Sequence, residues 1–187
     1  MSVRTRLQRL LVCLTIIGFG VPRVIEAHRL DEYLQATRIS LELDRIAVEM
    51  NLTPGAAVAD QVFAAIDQDR NGAISPVEGA AYARLVVSSL SLNVDGRVRA
   101  LTLDRYTFPS LTDMRNGEGI IRLQASAKMP HASAGPHRLA FANIHRSDIG
   151  VYLINALIPS DERIRITGQS RDTLQNEFKM DYKVNER

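Results

Sequence analysis

Between residues 67 and 78 the chain reads DQDRNGAISPVE. Asp67, Asp69 and Asn71 stand at alternate positions, Ser75 follows, and Glu78 closes the stretch. Every one of these donors is a hard oxygen. That suits a hard cation such as Ca²⁺, which takes about six to eight oxygens in a flexible shell. Counted from Asp67, the first, third and fifth residues supply side-chain oxygens. Gly72 in sixth place permits the sharp bend that returns the chain around an ion. Ala73 in seventh place needs no special side chain, because it offers its backbone carbonyl. Ser75 in ninth place acts through its hydroxyl or a water, and Glu78 in twelfth place supplies both carboxylate oxygens. Ile74, between Ala73 and Ser75, points away from the ion and is free to pack elsewhere.

Two helices must hold such a loop. AAVADQVFAAI sets Val58, Val62, Phe63 and Ile66 along one stripe, with Thr53-Pro54 placed to cap and begin the helix. PVEGAAYARLVVSSL sets Val77, Ala81, Leu85 and Val86 along another, with Pro76 in the first turn, where Pro costs little. Residues 54–90 thus read as helix, loop, helix. The stretch resembles an EF-hand with every ligand position intact. That family implies Ca²⁺ binding by Asp67, Asp69, Asn71, Ala73, Ser75 and Glu78. EF-hands usually pair through their loops, and no second loop occurs in the sequence. With three carboxylates contributing, the expected affinity is in the range of about 10⁻⁴ to 10⁻³ M typical of extracellular modules. Such a site acts as a structural staple rather than a switch.

The rest of the chain alternates with a period of two. In TRISLELDRIAVEMNL, Ile39, Leu41 and Leu43 share one face, and Ile46, Val48, Met50 and Leu52 continue it. A two-residue turn at Asp44-Arg45 would pair Leu43 with Ile46, Leu41 with Val48 and Ile39 with Met50. LSLNV and VRALTL flank the turn dipeptide Asp95-Gly96. GIIRLQASAK, HRLAFANI, GVYLINALIP, RIRIT and EFKMDYKV follow, GVYLINALIP being apolar on both faces as a central strand would be. The expected fold is mainly β with an α insertion: an antiparallel β-sandwich of about eight to nine strands carrying one EF-hand, as a single domain over residues 28–187.

Residues 1–27 are of another kind. Arg4, Arg6 and Arg9 precede the apolar run LLVCLTIIGFGV, and a small residue, Ala27, ends the segment. This is the pattern of a cleaved secretory signal peptide, giving a secreted or periplasmic protein that does not span the membrane. The segment holds four of the 23 basic residues and one of the 21 acidic ones. The remainder therefore has 19 basic and 20 acidic residues, a formal net charge of −1. The overall pI of about 8.9 thus owes most to the leader, and nucleic-acid binding loses its main support. The chain's single cysteine, Cys13, lies in the same apolar run, which leaves no disulfide and no thiol nucleophile after cleavage.

No G-x-S-x-G, H-E-x-x-H or phosphate-binding glycine loop occurs, so the expectation is a non-enzyme. Four histidines remain: His28, His131, His137 and His145. An N-terminal His28 would chelate Cu²⁺ or Ni²⁺ through its amine and imidazole together, and a site built with the others would need them to converge. AHRLDEYLQATRISLELDRIAVEMNLTPG and HRLAFANIHRSDIGVYLINALIPSDERIRITGQSRDTLQ resemble the exported soluble domain of bacterial nickel permease-like hydrogenase and urease accessory proteins. The resemblance implies an extracytoplasmic β-rich domain in membrane or metal traffic, with a membrane-protein partner. The membrane helices of that family are missing from this sequence, so transport activity is not carried over.

Overall fold

The computed structural model describes residues 31–130 and 132–186. The expected signal peptide over 1–27, its cleavage after Ala27, and the ligand candidates His28 and His131 lie outside the described residues. The chain runs β1 (Tyr33–Leu41), β2 (Arg45–Pro54), α1 (Ala59–Ile66), α2 (Pro76–Ser88), β3 (Leu90–Val94), β4 (Arg97–Val98) and β5 (Thr102–Thr107). It continues through α3 (Leu111–Arg115), β6 (Ile121–Lys128), β7 (Gly135–Asn143), β8 (Gly150–Ala156), β9 (Ile164–Arg171) and β10 (Glu177–Val184). Two five-stranded sheets result, in the orders β5-β6-β2-β1-β8 and β4-β3-β7-β10-β9.

Strict alternation is what lets the two sheets close on each other. Ile39, Leu41, Ile46, Val48, Met50, Leu52 and Leu123 from the first sheet join one hydrophobic cluster with Leu92, Leu139, Phe141, Phe178, Met180 and Tyr182 from the second. The architecture is a mainly β sandwich, as the period-two patterning requires. One pairing departs from an all-antiparallel sheet: β1 and β8 run parallel, Tyr33 opposite Gly150 and Ile39 opposite Ala156. Of the expected strands, VRALTL divides in two. Its start forms β4 in the second sheet and its end forms β5 in the first, which brings the strands among the described residues to ten.

The β1–β2 hairpin forms with a register two residues from the expected one. Ile39 pairs with Val48 and Leu41 with Ile46, and Leu43-Asp44 make the turn. A two-residue slip leaves every side chain on its own face, so the buried set is unchanged. Asp95 (φ 52°) and Gly96 (φ 79°) form the tight left-handed turn expected of that dipeptide. β8 lies at an edge of the first sheet rather than at its centre. Its outward Val151 and Leu153 are exposed beside Leu34 of β1, so the double apolar face reflects an open patch and not a second covered layer.

The α insertion also differs in detail. Pro54 ends β2 opposite Tyr33 rather than starting a helix, and α1 begins at Ala59 after a turn closed by Val58 N–H donating to the Gly55 carbonyl at 3.0 Å. A strand end suits Pro, which has no N–H for a further ladder bond. In α1 the expected Val58, Val62, Phe63 and Ile66 are indeed buried. In α2 the buried face is Gly79, Tyr82, Ala83 and Val86, while Val77 and Leu85 are exposed. The large aromatic ring of Tyr82, with its polar tip inside, outweighs the aliphatic stripe. Between β5 and β6 lies an additional short helix, α3, capped reciprocally by Ser110 and Asp113 and anchored by the buried Met114.

Candidate metal centre

The helix pair and its surroundings hold the loop at both ends. On the entering side α1 lies against α3, where Arg115 Nε reaches Asp60 Oδ1 at 2.7 Å. On the leaving side α2 lies against β5. The face of Gly79 is so close to Phe108 that a Cβ there would sit 3.1 Å from the ring, and Tyr106 Oη donates to the Pro76 carbonyl at 3.3 Å. Ile74 packs against the main hydrophobic cluster, which ties the middle of the loop to the core.

Asp67 follows directly from α1, its N–H donating to the Phe63 carbonyl at 2.9 Å, and it is buried. Its Oδ1 accepts from Asn71 N–H at 3.1 Å and its Oδ2 from Gly72 N–H at 2.9 Å. Two residues with positive φ, Arg70 (59°) and Gly72 (83°), turn the chain so that these amides face the carboxylate. Asn71 Nδ2 donates to Asp69 Oδ2 at 2.9 Å, and Asn71 Oδ1 accepts from Ala73 N–H at 2.8 Å. Ser75 caps α2, and Glu78 completes the reciprocal capping box. Glu78 also spans the loop. Its Oε2 accepts from Ser75 N–H at 2.9 Å and from Ser75 Oγ at 2.7 Å, and its Oε1 accepts from Gln68 N–H at 2.7 Å. These hydrogen bonds, that from the Ser75 hydroxyl foremost, hold the Glu78 carboxyl down at about 2, so it is ionised at any ordinary pH.

Carboxylate oxygens of Asp67, Asp69 and Glu78 lie within 4.8 Å of one another. Of the six expected ligands these three converge. Asn71 and Ser75 are bonded to them, and Ala73 joins the ring through Asn71. The donor set is entirely oxygen and carries three negative charges that repel each other, an arrangement a hard divalent cation relieves.

The described histidines do not converge on a metal. His137 has Nδ1 2.7 Å from Asp95 Oδ2 and Nε2 2.8 Å from the Ser133 carbonyl. Both partners only accept, so both ring nitrogens carry protons and no lone pair is left for a metal. Against the opposing effect of burial, the Asp95 hydrogen bond and charge raise its pKa. His145 is buried, with Nε2 3.0 Å from Tyr82 Oη, which lies 3.2 Å from Tyr33 Oη. Burial first, and then the Arg146 guanidinium, push its pKa down to about 4, with Asp148 opposing.

His145 belongs to a buried polar network absent from the sequence reading. Its carbonyl accepts from Gln35 Nε2 at 2.6 Å and Tyr152 Oη at 3.0 Å, and its N–H donates to Asn143 Oδ1 at 2.9 Å. Asn143 Nδ2 in turn donates to Gln35 Oε1 at 2.9 Å. Through Tyr82 this network joins α2 to both sheets. The signal for it was the parity of Gln35 and Thr37, two polar residues on the same inward face as Ile39 and Leu41. No helix among the described residues is long and apolar enough to cross a membrane. No protein-family model, curated protein or solved structure matches the chain.

Proposed function

We propose that the chain is an exported calcium-binding protein in which the loop of residues 67–78 holds one Ca²⁺ in a structural role. The single observation that carries this reading is the approach of the Asp67, Asp69 and Glu78 carboxylates to within 4.8 Å at the first, third and twelfth positions of an intact calcium-loop pattern. Asn71 and the Ala73 carbonyl would add two further oxygens, and Ser75 would contribute through its hydroxyl or a water. The two helices end on opposite sides of the loop, and each packs on a different part of the fold. Ion binding therefore ties α1, α2 and the sheets together. Export rests on the sequence of residues 1–27, and a membrane-protein partner on the resemblance of the β-rich remainder to an exported accessory domain.

Calorimetric titration with Ca²⁺ and Mg²⁺, paired with thermal unfolding, tests the reading. Ca²⁺ at about 100 times its dissociation constant stabilises the folded state by about 2.7 kcal/mol, and the melting temperature rises accordingly. Glu78→Ala abolishes the rise. A wild-type protein with neither binding heat nor a shift in melting temperature at millimolar Ca²⁺ would overturn the proposal.

A further inference from the structure

The sequence holds two Asn-Gly dipeptides, Asn71-Gly72 between α1 and α2 and Asn116-Gly117 at the end of α3. An asparagine before glycine is open to one reaction in particular. The backbone nitrogen of the next residue attacks the side-chain carboxamide carbon and closes a five-membered imide. Glycine hinders that approach least, because it has no Cβ. Both pairs are exposed, and both glycines have positive φ, 83° at Gly72 and 73° at Gly117, with open space where a Cβ would stand. Their surroundings differ.

At Asn71 each reacting group has a partner suited to its part. The N–H of Gly72, the attacking nitrogen, donates to a carboxylate, Asp67 Oδ2, at 2.9 Å. A base thus already holds the proton that has to leave. Asn71 Oδ1 accepts from Ala73 N–H at 2.8 Å. This bond to the amide two residues on folds the carboxamide back over the Gly72 peptide, and it sits where negative charge develops on the oxygen during attack. The leaving nitrogen, Nδ2, donates to Asp69 Oδ2 at 2.9 Å. Asn116 has a helical backbone instead, with φ −79° and ψ −5°. Its Gly117 N–H donates to the Met114 carbonyl at 2.9 Å, so a neutral oxygen stands where Asn71 has a carboxylate.

We propose that Asn71 is a self-modification site, at which the folded, metal-free loop converts its own asparagine to aspartate and isoaspartate. The Gly72 nitrogen bonds to Asn71 Cγ as Asp67 Oδ2 takes the amide proton. The Cγ–Nδ2 bond then breaks, and Nδ2 departs as ammonia with the proton returned from Asp67. Water, the one co-reactant, opens the imide at either carbonyl. The aspartate product adds a carboxylate at the fifth position of the loop, whereas isoaspartate lengthens the main chain and spoils the spacing. Control by calcium rests on the calcium reading: an ion bound to Asp67 and Asn71 Oδ1 occupies the base and the carboxamide together, and so protects the residue.

The full chain, stripped of metal with a chelator, is incubated at neutral pH both folded and unfolded in urea. Peptide mapping by mass spectrometry follows the exchange of amide for acid at both asparagines. Asn71 should convert about tenfold faster folded than unfolded, and Asp67→Asn should remove that advantage. Asn116 should gain nothing from folding. Asn71 converting no faster in the folded chain overturns the proposal, as does an unchanged rate in folded Asp67→Asn. If that variant does not fold, the wild-type comparison decides alone. Ca²⁺ that binds by calorimetry should slow Asn71 and leave Asn116 unaffected. Binding without slowing overturns the protection. Absence of binding overturns the calcium reading instead, and the metal-free comparison still decides the self-modification.

Discussion

His145 shows how one residue can set the response of this fold to acid. Its imidazole is buried between Tyr82 and Tyr33, and its folded-state pKa of about 4 lies below the ordinary value of 6.5. The folded protein therefore binds fewer protons at this site than the unfolded chain does. Stability is at its full value above about pH 6.5, falls as the pH drops from there towards 4, and levels off below. The loss is of the order of 3 kcal/mol if this group acts alone. Denaturant unfolding of wild type and His145→Gln from pH 8 to pH 4 checks it: the slope between 6.5 and 4 should flatten in the variant. Glu78 acts in the same direction at lower pH, since its lowered pKa contributes stability that is present above its unfolded value of 4.5 and lost as the pH falls from there towards 2. The two effects follow one another as the pH falls, His145 acting from 6.5 towards 4 and Glu78 from 4.5 towards 2. The proposed ligand residues of the loop were legible because their chemistry is local, with each donor at a fixed offset from Asp67. The role of His145 was not, since it depends on Gln35, Asn143 and Tyr152 from three distant strands.

At the scale of elements, α2 is the clearest contrast between pattern and packing. Of its expected stripe Val86 is buried but Val77, Ala81 and Leu85 face outward, and Gly79, Tyr82 and Ala83 join Val86 on the inward face. The expected costs separate the two faces. Val86→Ala removes buried volume and should cost about 2 kcal/mol, whereas Leu85→Ala should stay within about 0.5 kcal/mol. Urea unfolding of both variants decides which face is buried, and equal costs would contradict the packing. The helices were legible as elements because Pro76 marks the start of α2 and α1 has a compact apolar stripe. The buried face of α2 was not, because it is selected by what lies opposite: Phe108 against Gly79 and His145 against Tyr82. The strands were legible from alternation. The division of VRALTL between sheets was not, because a short chain can change layers at Arg99–Leu101 without breaking its alternation.

On the whole-molecule scale, β8 and β9 are edge strands of the two sheets, and Arg171 links them. Arg171 at the end of β9 donates from Nε to the Ile154 carbonyl at 2.7 Å and from Nη2 to Asn155 Oδ1 at 2.9 Å, both on edge strand β8. Its guanidinium also lies 5.0 Å from the centroid of the buried Phe178 ring. Arg171→Ala frees an edge strand already flanked by exposed Val151, Leu153 and Ile158. Concentration-dependent association, measured by analytical ultracentrifugation, is the expected result, with a stability loss of about 1–3 kcal/mol. The parallel seam between β1 and β8 bears on how the chain becomes a protein at all. Tyr33 has a local neighbour in Pro54 of β2, but its second neighbour, Gly150, comes more than a hundred residues later in the chain. Folding is expected in the millisecond-to-second regime of non-local β topologies. The first sheet therefore gains its outer strand only once the chain has been made through β8.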